Sequence, residues 1–598
     1  MHIANYTLEL SLGNCPEAAS LPHLDAWLAR HLGLEIPPYP GTIPFTGNET
    51  DIPLAVTACS VAWRTLILAA ALQRAAHLPV FEPGRLVSSR LTQTGKARWH
   101  FTCVVVHLNY LPIALLHSCY KHAAAVIQKA ADLPSDPQGL AQIFEQLNAD
   151  LIIPMVKAMP LGKSTEHILR AAHQRALPWH HIGNGVFQLG WGRQSVKFRH
   201  SSLWNDSSIG TDTAQHKYWS AQWLAQAGIP TPTQQLADTV EQALAAWNTL
   251  GNPVVIKPVD RDRGEGVSTN IHTENDVRTA FHEARKLSKQ VVIERKIAGT
   301  CHRVLVVRNT LIYVVKRHPI AICGNGSSSI RELIEEKNRQ SQVLAPWLRD
   351  PLLPLDDITQ NLLQRQGLSQ EAIIPTDHWV PLRDVESTQW GGIDEDFSDT
   401  IHPENINLAL RAAAVFGLDS AGIDIISTDI REPWFSNGAV VNEVNSAPSM
   451  GAGPVSIRTM PKVVEQLIPE AGRIPIHIVL GDHSRAHTIA QRYQHTYAEQ
   501  GKSCLLVSKN DIVMPDGSRT GVKADGPYDR ARVALFHPLA DAITIVADAN
   551  EPIPEILAFD QITSLDHTDP TLEKVENTVS GPDLAGLSAL ERLARLIV

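Results

Sequence analysis

The chain has 598 residues, of which 44% are hydrophobic and 19% charged, a globular composition with apolar material for several cores. Its formal net charge of −10 argues against a large basic surface for nucleic acid. Seven cysteines without a CxxC pair argue against a disulfide framework or a thiolate zinc site, and the 26 histidines show no HExxH-type spacing.

At about 150 residues per domain, the length predicts three or four domains. The N-terminus, MHIANYTLELSLG, has no basic region followed by an apolar core, so no signal peptide is read. The greasiest run, 104–119, is broken by His107, Asn109 and His117 and falls short of the ~20 residues a membrane span needs. A cytoplasmic protein without membrane or nucleic-acid partners is expected.

Residues 1–160 mix helical stretches such as 62–76 with a β-like run at 99–106, and carry no catalytic motif. The segment LIIPMVKAMPLG (151–162) reads as a buried strand closed by a Pro/Gly turn. From there to about 470, apolar strands alternate with amphipathic helices, which predicts α/β architecture. Pro469 and Gly472 mark a further boundary. The last segment opens with the strand IPIHIVL (474–480), continues as a helix to about 500, and returns to a strand, SCLLVS (503–508).

Four stretches carry chemistry. In GNPVVIKPVDRDRGEGVS (251–268), an apolar strand delivers Lys257, and a loop with Gly264 and Gly266 follows. A lysine and a glycine-rich loop are what phosphoryl transfer needs, for charge and for close backbone approach. In VVIERKIAGTCHRVLVVRNTLIYVVKR (291–317), a strand ends at Glu294, Arg303 opens another, and Lys316 and Arg317 end a third. The strand-to-linker edge from Glu294 to Ile297 offers backbone donors and acceptors to an adenine ring. In AGIDIIST (421–428) and VVNEVNSAPSMG (440–451), acids sit inside apolar strands. Alternation places Asn442 with Val440 and Val444, and Glu443 with Asn445 on the opposite face. Asp424, Glu443 and Asn445 then form a hard-oxygen site for Mg²⁺, since buried carboxylates without a cation are costly. In TAQHKYWSAQWLAQAGIPTP (213–232), Lys217 begins a helix that stops at Gly228. The stretch LGKST (161–165) imitates a Walker A tail, but Lys157 stands where its first glycine belongs, and Ser164 is expected to cap the following helix instead.

In this order the pieces resemble the ATP-grasp superfamily, and within it the cyanophycin synthetases. The likeness rests on PLGKSTEHILRAAHQRALPW, QLGWGRQ, GNPVVIKPVD, HRVLVV, GNGSSSIRELIE, DTIHPENINLALRAAAVFGLDSAGIDII and EVNSAP; it covers about 160–470 closely and is faint before 150. The resemblance implies ATP and Mg²⁺ as cofactors, Lys217 and Lys257 as nucleotide lysines, Glu294 as the adenine hinge, and Asp424, Glu443 and Asn445 as metal ligands. It implies that Ser164 holds the growing chain's carboxylate, that Arg303 is the arginine of the family motif, and that Asp212 stands where the family has glutamate. Arg263 replaces a histidine in the glycine loop; an arginine stays protonated and cannot relay a proton, though it could stabilise phosphate or an oxyanion.

Longer members of that family continue into a Mur-ligase-like domain with a P-loop similar to IPIVAVTGTNGKTTT. Here the register is IPIHIVLGDHSRAHT (474–488), with Ser484, Arg485 and Ala486 in place of glycine, lysine and threonine. The expected organisation is α/β multidomain: an N-terminal α+β domain (1–160), an ATP-grasp catalytic domain (161–472) and a truncated Mur-ligase-like α/β domain without a working P-loop (473–598). The resemblance is to the short, single-site type, which polymerises β-aspartyl-arginine dipeptides. It implies dipeptide or amino-acid substrates, a polymer primer and a homo-oligomer. A ligase joining other amino acids, and a non-catalytic ATP- or polymer-binding protein, are the competing readings.

Overall fold

The structure is a computed structural model describing residues 4–13, 15–45, 51–92, 98–130, 132–261, 265–383, 394–548, 550–554, 557–568, 593, 596 and 597. The alternating strand Arg98–His107 sits at the centre of a three-stranded antiparallel sheet, between Ala4–Gly13 and Arg85–Thr92. Helices Ile52–Ala75 and Ile113–Gln128 cover this sheet. The first of these is long and apolar enough to cross a membrane by length and composition, and 67% of its most apolar window is buried inside the fold. It is a longer apolar stretch than the 104–119 run singled out above. Arg64, in its middle, forks onto Asp25.

Residues 151–162 correct the sequence reading. A π-helical turn, Asn148–Ile152, runs directly into the helix Ile153–Ala158, and no strand forms. Pro154 lies in the first turn, where its missing N–H costs nothing. Leu151, Ile152 and Met155 are buried while Ile153 and Val156 face outward, so the run serves one helical face. Short apolar runs do not distinguish strand from helix by period alone.

Two antiparallel sheets follow. The first has the order Ser268–Ile271, Val254–Pro258, Val291–Arg295, Gln234–Ala237. Helices Val240–Leu250 and Glu274–Leu287 pack on one face of it through Ala243, Ala246, Val277, Phe281 and Ala284. The second has the order Asp394–Asp396, Thr310–Arg317, Thr300–Val307, Ser420–Ser427, Val440–Ser446. Its three central strands, Thr310–Arg317, Thr300–Val307 and Ser420–Ser427, are largely buried on both sides. Val304, Val306, Val314, Ile423 and Ile425 face the helix Pro403–Val415. Leu305, Val307, Tyr313 and Val315 join the large core that also holds the N-terminal sheet and the helices Gly162–Gln174 and Met460–Leu467. A sheet covered on both faces leaves polar side chains only at strand ends and at places where a pocket opens, and this brings the polar residues of this sheet together.

Beyond residue 473, four parallel strands in the order Cys504–Val507, Ala542–Ala547, Ile476–Leu480, Ser564–His567 form a doubly covered sheet, with two short antiparallel strands at one edge. The helix His483–Glu499 follows the strand Ile476–Leu480, as the sequence predicts.

Candidate active site

The two antiparallel sheets enclose a pocket of about 310 Å³. One wall starts from the strand Val254–Pro258, every residue of which is buried. Strand alternation turns Lys257 out of that core into the pocket, where its Nζ lies 2.8 Å from the Glu294 carboxylate. The second Glu294 oxygen accepts from Gln234 Nε2 at 2.8 Å. Both charged side chains are 7% exposed, so the pair is held together by its own attraction against a large desolvation cost. Downstream, the N–H groups of Arg295 and Lys296 are spent on Thr233 O and Pro253 O, and Ile297 lines the pocket. Gly266, at φ +70°, passes so close to Leu287 and Pro258 that a Cβ would lie 2.7 Å from Leu287 Cδ1. Arg263 and Gly264 lie outside the described residues.

Lys217 enters from the N-terminus of the helix Lys217–Gln226. Its N–H donates to Val259 O, its Nζ donates to Arg261 O, and Nζ lies 3.6 Å from Glu443. Both lysines line the pocket, and each is matched to a different glutamate.

The opposite wall is set by register. Arg303 pairs with Asp424 across one strand boundary, and Asp424 pairs with Glu443 across the next, so three charged side chains line up on one face. The Arg303 guanidinium forks onto Asp424, with Nη2 at 2.9 Å from Oδ2 and Nε on Oδ1. Burial works against the Arg303 charge, and the Asp424 carboxylate outweighs it and holds the guanidinium protonated above its ordinary range. Asn445 Nδ2 donates to Asp424 Oδ2 and Gly422 O, both at 3.2 Å. Burial pushes the Glu443 carboxyl up, Lys217 draws it back, and Asp424 pushes it up again. Two carboxylates and one amide are the donor set of a hard divalent cation, and a cation there would relieve the crowding of Asp424 and Glu443. No group of three His, Cys, Asp or Glu is clustered for a metal among the described residues, so the amide of Asn445 is needed to complete the set.

The alternation expected along VVNEVN does not hold. Asp424 pairs with Glu443, but Ile425 pairs with Val441, so Asn442 is the extra residue of a β-bulge. Asn442 therefore lines the same pocket as Glu443 instead of joining Val440 and Val444 in the core.

Ser164 also departs from expectation. The helix starts at Gly162 with no side-chain cap, and Ser164 stands in its first turn. Its Oγ accepts from Met450 N at 3.0 Å and donates to Met450 O at 3.2 Å. It thus ties the helix to the loop after Asn445. Gly451 in that loop has φ +78°, and a Cβ there would come within 2.1 Å of His167. Asp212 lies exposed on the helix Ser208–Gln215. Gln234, Arg261 and Asn442 are pocket or pocket-supporting residues that sequence reasoning did not select. A glutamine opening a strand and an asparagine inside VVNEVN were the only signals.

At the C-terminal sheet, the position of a P-loop is taken by Gly481 and Asp482. Asp482 is the cap of the following helix, and its Oδ1 accepts from the N–H groups of Ser484 and Arg485 at 3.1 and 3.3 Å. A carboxylate of the chain itself occupies the amides that a P-loop offers to phosphate.

The family comparison fits this geometry. An ATP-grasp domain family matches residues 210–308, a span that holds Lys217, Lys257, Glu294 and Arg303. Cyanophycin synthetase of Trichormus variabilis is 33% identical over 406 residues, covering 64% of this chain and 44% of the relative. The chain thus carries a match to the ATP-grasp domain and is similar to cyanophycin synthetases over about two thirds of its own length. It spans less than half the length of these curated relatives, 44% of the Trichormus protein and 47% of a cyanophycin synthetase of Synechocystis. A glutathione biosynthesis bifunctional protein of Mannheimia succiniciproducens is 31% identical over 255 residues, or 41% of this chain and 33% of that protein. Among solved structures, a bifunctional glutathione synthetase from Pasteurella multocida aligns with 23% identity and a TM-score of 0.41, over 60% of this chain and 52% of that one.

Proposed function

We propose that the chain is an ATP-dependent carboxylate–amine ligase that extends a peptide polymer from preformed dipeptides, β-aspartyl-arginine being the substrate the family relationship favours. The observation that carries this reading is the convergence on one pocket of Lys217, Lys257 and Glu443, with Asp424 paired across the strand boundary to Glu443 and Asn445 hydrogen-bonded to Asp424. A protein that merely held nucleotide or polymer would not need all five.

In this reading a carboxylate oxygen of the growing chain attacks the γ-phosphorus of ATP, and ADP leaves. The amine nitrogen of the incoming dipeptide then attacks the acyl carbon, loses its proton, and displaces phosphate. Lys217 and Lys257 neutralise phosphate oxygens. Glu294 keeps Lys257 charged and aimed while the pocket is empty. Arg303, already fully charged, stabilises the oxyanion from the Asp424 side. Asp424, Glu443 and Asn445 would hold Mg²⁺, which when bound supplies charge neutralisation to the phosphates. Ser164 and the loop through Met450 position the acceptor end.

The division 1–160, 161–472 and 473–598 is proposed as polymer-holding, catalytic and non-catalytic parts. With Asp482 filling the place of a phosphate, the C-terminal unit is assigned a structural or oligomer-forming role. A single working site explains the dipeptide substrate. A branched two-amino-acid repeat needs two different amide bonds, and one site that makes only the backbone bond must receive the other ready-made. The likeness to glutathione-forming proteins favours one competing reading, a ligase joining other amino acids. A screen of free amino acids and dipeptides, with and without a short cyanophycin primer, reading both ADP and chain length, decides between them. Primer-dependent ADP release with β-aspartyl-arginine and little with aspartate plus arginine is expected. Better elongation by another substrate set removes the cyanophycin assignment.

A further inference from the structure

Arg317 and Asp394 form a charged pair that the proposed chemistry leaves unused. Arg317 ends the strand Thr310–Arg317, and Asp394 stands opposite it at the start of Asp394–Asp396. Val315 pairs with Arg303, so Arg317, two residues on, shares the sheet face of Arg303, Asp424 and Glu443. Carrying that register one residue further sets Arg317 beside Cys301, which lines the candidate pocket. The pair therefore flanks Arg303 on the side away from Glu443.

Other arginine–aspartate pairs around this sheet are closed. Arg303 forks onto Asp424, and Arg458 donates to Asp396. Arg317 Nε and Asp394 Oδ1 stay 4.0 Å apart, beyond hydrogen-bond reach. Both atoms are buried without a partner, and neither side chain makes a hydrogen bond among the described residues. The side chains are 19% and 11% exposed, and their outer polar atoms, the guanidinium Nη groups and Asp394 Oδ2, keep access to solvent. Burial pushes the Asp394 carboxyl up, and Arg317, Arg303 and His318 draw it back only in part. Across from the pair runs the turn that Ser164 holds through Met450. Gly453 in that turn lies against Asp394, since a Cβ there would come 2.6 Å from Oδ2. A half-buried arginine and aspartate side by side, neither hydrogen-bonded, are costly unless a ligand bridges them.

The two charges narrow what that ligand is. A phosphate would meet the Asp394 carboxylate, and a metal cation would meet the Arg317 guanidinium. A group that suits both carries a carboxylate for the planar fork of arginine and a cationic nitrogen for the aspartate. The arginyl residue of β-aspartyl-arginine carries the two together, as a free carboxylate and a guanidinium.

We propose that Arg317 and Asp394 bind the arginyl residue of the peptide substrate, Arg317 taking its carboxylate and Asp394 its guanidinium. This rests on the reading of the chain as a ligase of β-aspartyl-arginine. It makes the pair specificity-determining, with no part in phosphoryl transfer.

The test is calorimetric titration of the full chain, in the presence of Mg²⁺ and the β,γ-imido analogue of ATP, with three dipeptides. These are β-aspartyl-arginine, its counterpart with the arginyl carboxylate made an amide, and its counterpart with citrulline in place of arginine. Arg317→Gln should weaken β-aspartyl-arginine roughly ten- to a hundredfold, the effect of one lost charge-assisted hydrogen bond. The amide should bind the wild type that much more weakly and lose nothing further in Arg317→Gln. Asp394→Asn and the citrulline dipeptide should behave in the same way, and nucleotide affinity should not move in either variant. Arg317→Lys keeps the charge without the fork; it should fall between the wild type and Arg317→Gln, and carries the comparison if glutamine lowers the melting temperature. A short cyanophycin primer, titrated in place of the dipeptide, tells whether the pair holds the growing end or the incoming unit; a loss with either supports the proposal. Unchanged affinity for dipeptide and primer in both variants overturns it, as does a further equal loss of the amide in Arg317→Gln or a matching loss of nucleotide. A wild type that binds the dipeptide through this pair but releases no ADP refutes the ligase reading and leaves the subsite standing. A wild type that elongates while both variants bind normally does the reverse.

Discussion

Removing the charge of Glu294 exposes how much the site relies on pairing Lys257. Both side chains are 7% exposed and lie 2.8 Å apart, and Glu294 is fixed from behind by Gln234. Glu294→Gln keeps the shape and leaves a buried ammonium without a counter-charge. Breaking one partner of a buried pair costs about 3–5 kcal/mol. The lower end applies here, because Lys257 faces an open pocket and water can reach it. At about 2–4 °C per kcal/mol for a domain of this size, the first unfolding transition should fall by roughly 6–12 °C. In the proposed site ATP and Mg²⁺ would bring phosphate charge to Lys257, so nucleotide should raise the melting temperature more in the variant than in the wild type. Scanning calorimetry with and without nucleotide measures both effects. The double variant Lys257→Met/Glu294→Leu should recover most of the lost stability, since neither charge is then stranded, but it should not release ADP. A single variant that melts with the wild type, or a double variant as unstable as the single one, refutes the claim that this pair is held by mutual compensation.

Glu443→Gln removes a carboxylate of the proposed cation site and should abolish ADP formation while circular dichroism and melting stay near those of the wild type; normal turnover would mean the donor set is misassigned. Gly451→Ala places a Cβ 2.1 Å from His167 in a left-handed backbone position, so it should displace the Met450–Ser164 contact and cost more than about 1 kcal/mol by chemical denaturation; a neutral effect contradicts the tight loop. His180 stacks on Phe536, and burial followed by the nearby Arg532 lowers its pKa to about 4. The unfolded chain binds this proton near pH 6.5 and the folded one only near 4, so its contribution is full above pH 6.5 and is lost as pH falls toward 4. His180→Phe should flatten the acid limb of the stability–pH curve, and an unchanged limb places the acid sensitivity elsewhere. The C-terminal unit should bind no ATP, because Asp482 occupies the helix amides; nucleotide density or crosslinking near Arg485 contradicts this.

The sequence exposed the site where chemistry is local. Lys257 ends an unmistakable apolar strand, Lys217 opens a helix that runs from Lys217 to Gln226, and Asp424 and Glu443 are acids in strands otherwise made of Val and Ile. It did not expose what depends on pairing. The bulge at Asn442 is a property of two strands in register, invisible in either one, and it inverted the predicted face of that residue. Ser164 looked like a cap because Ser before a helical run usually is one; its partner, Met450, lies 286 residues away. The helix through Ile153 was misread as a strand because a short apolar run has no length to display its period. The pairing of Glu294 with Lys257 was missed because the glutamate's backbone, at a strand end, suggested a hinge, while its side chain serves the lysine.

The central claim is amide ligation through a phosphorylated carboxylate, and an isotope-transfer measurement tests it most directly. A short primer carrying ¹⁸O in its terminal carboxylate is elongated with β-aspartyl-arginine and ATP, and the released phosphate is analysed by mass spectrometry. One labelled oxygen appearing in phosphate for each primer extended, transferred at the first addition and not at later ones, is the predicted result; elongation that leaves the phosphate wholly unlabelled contradicts the account.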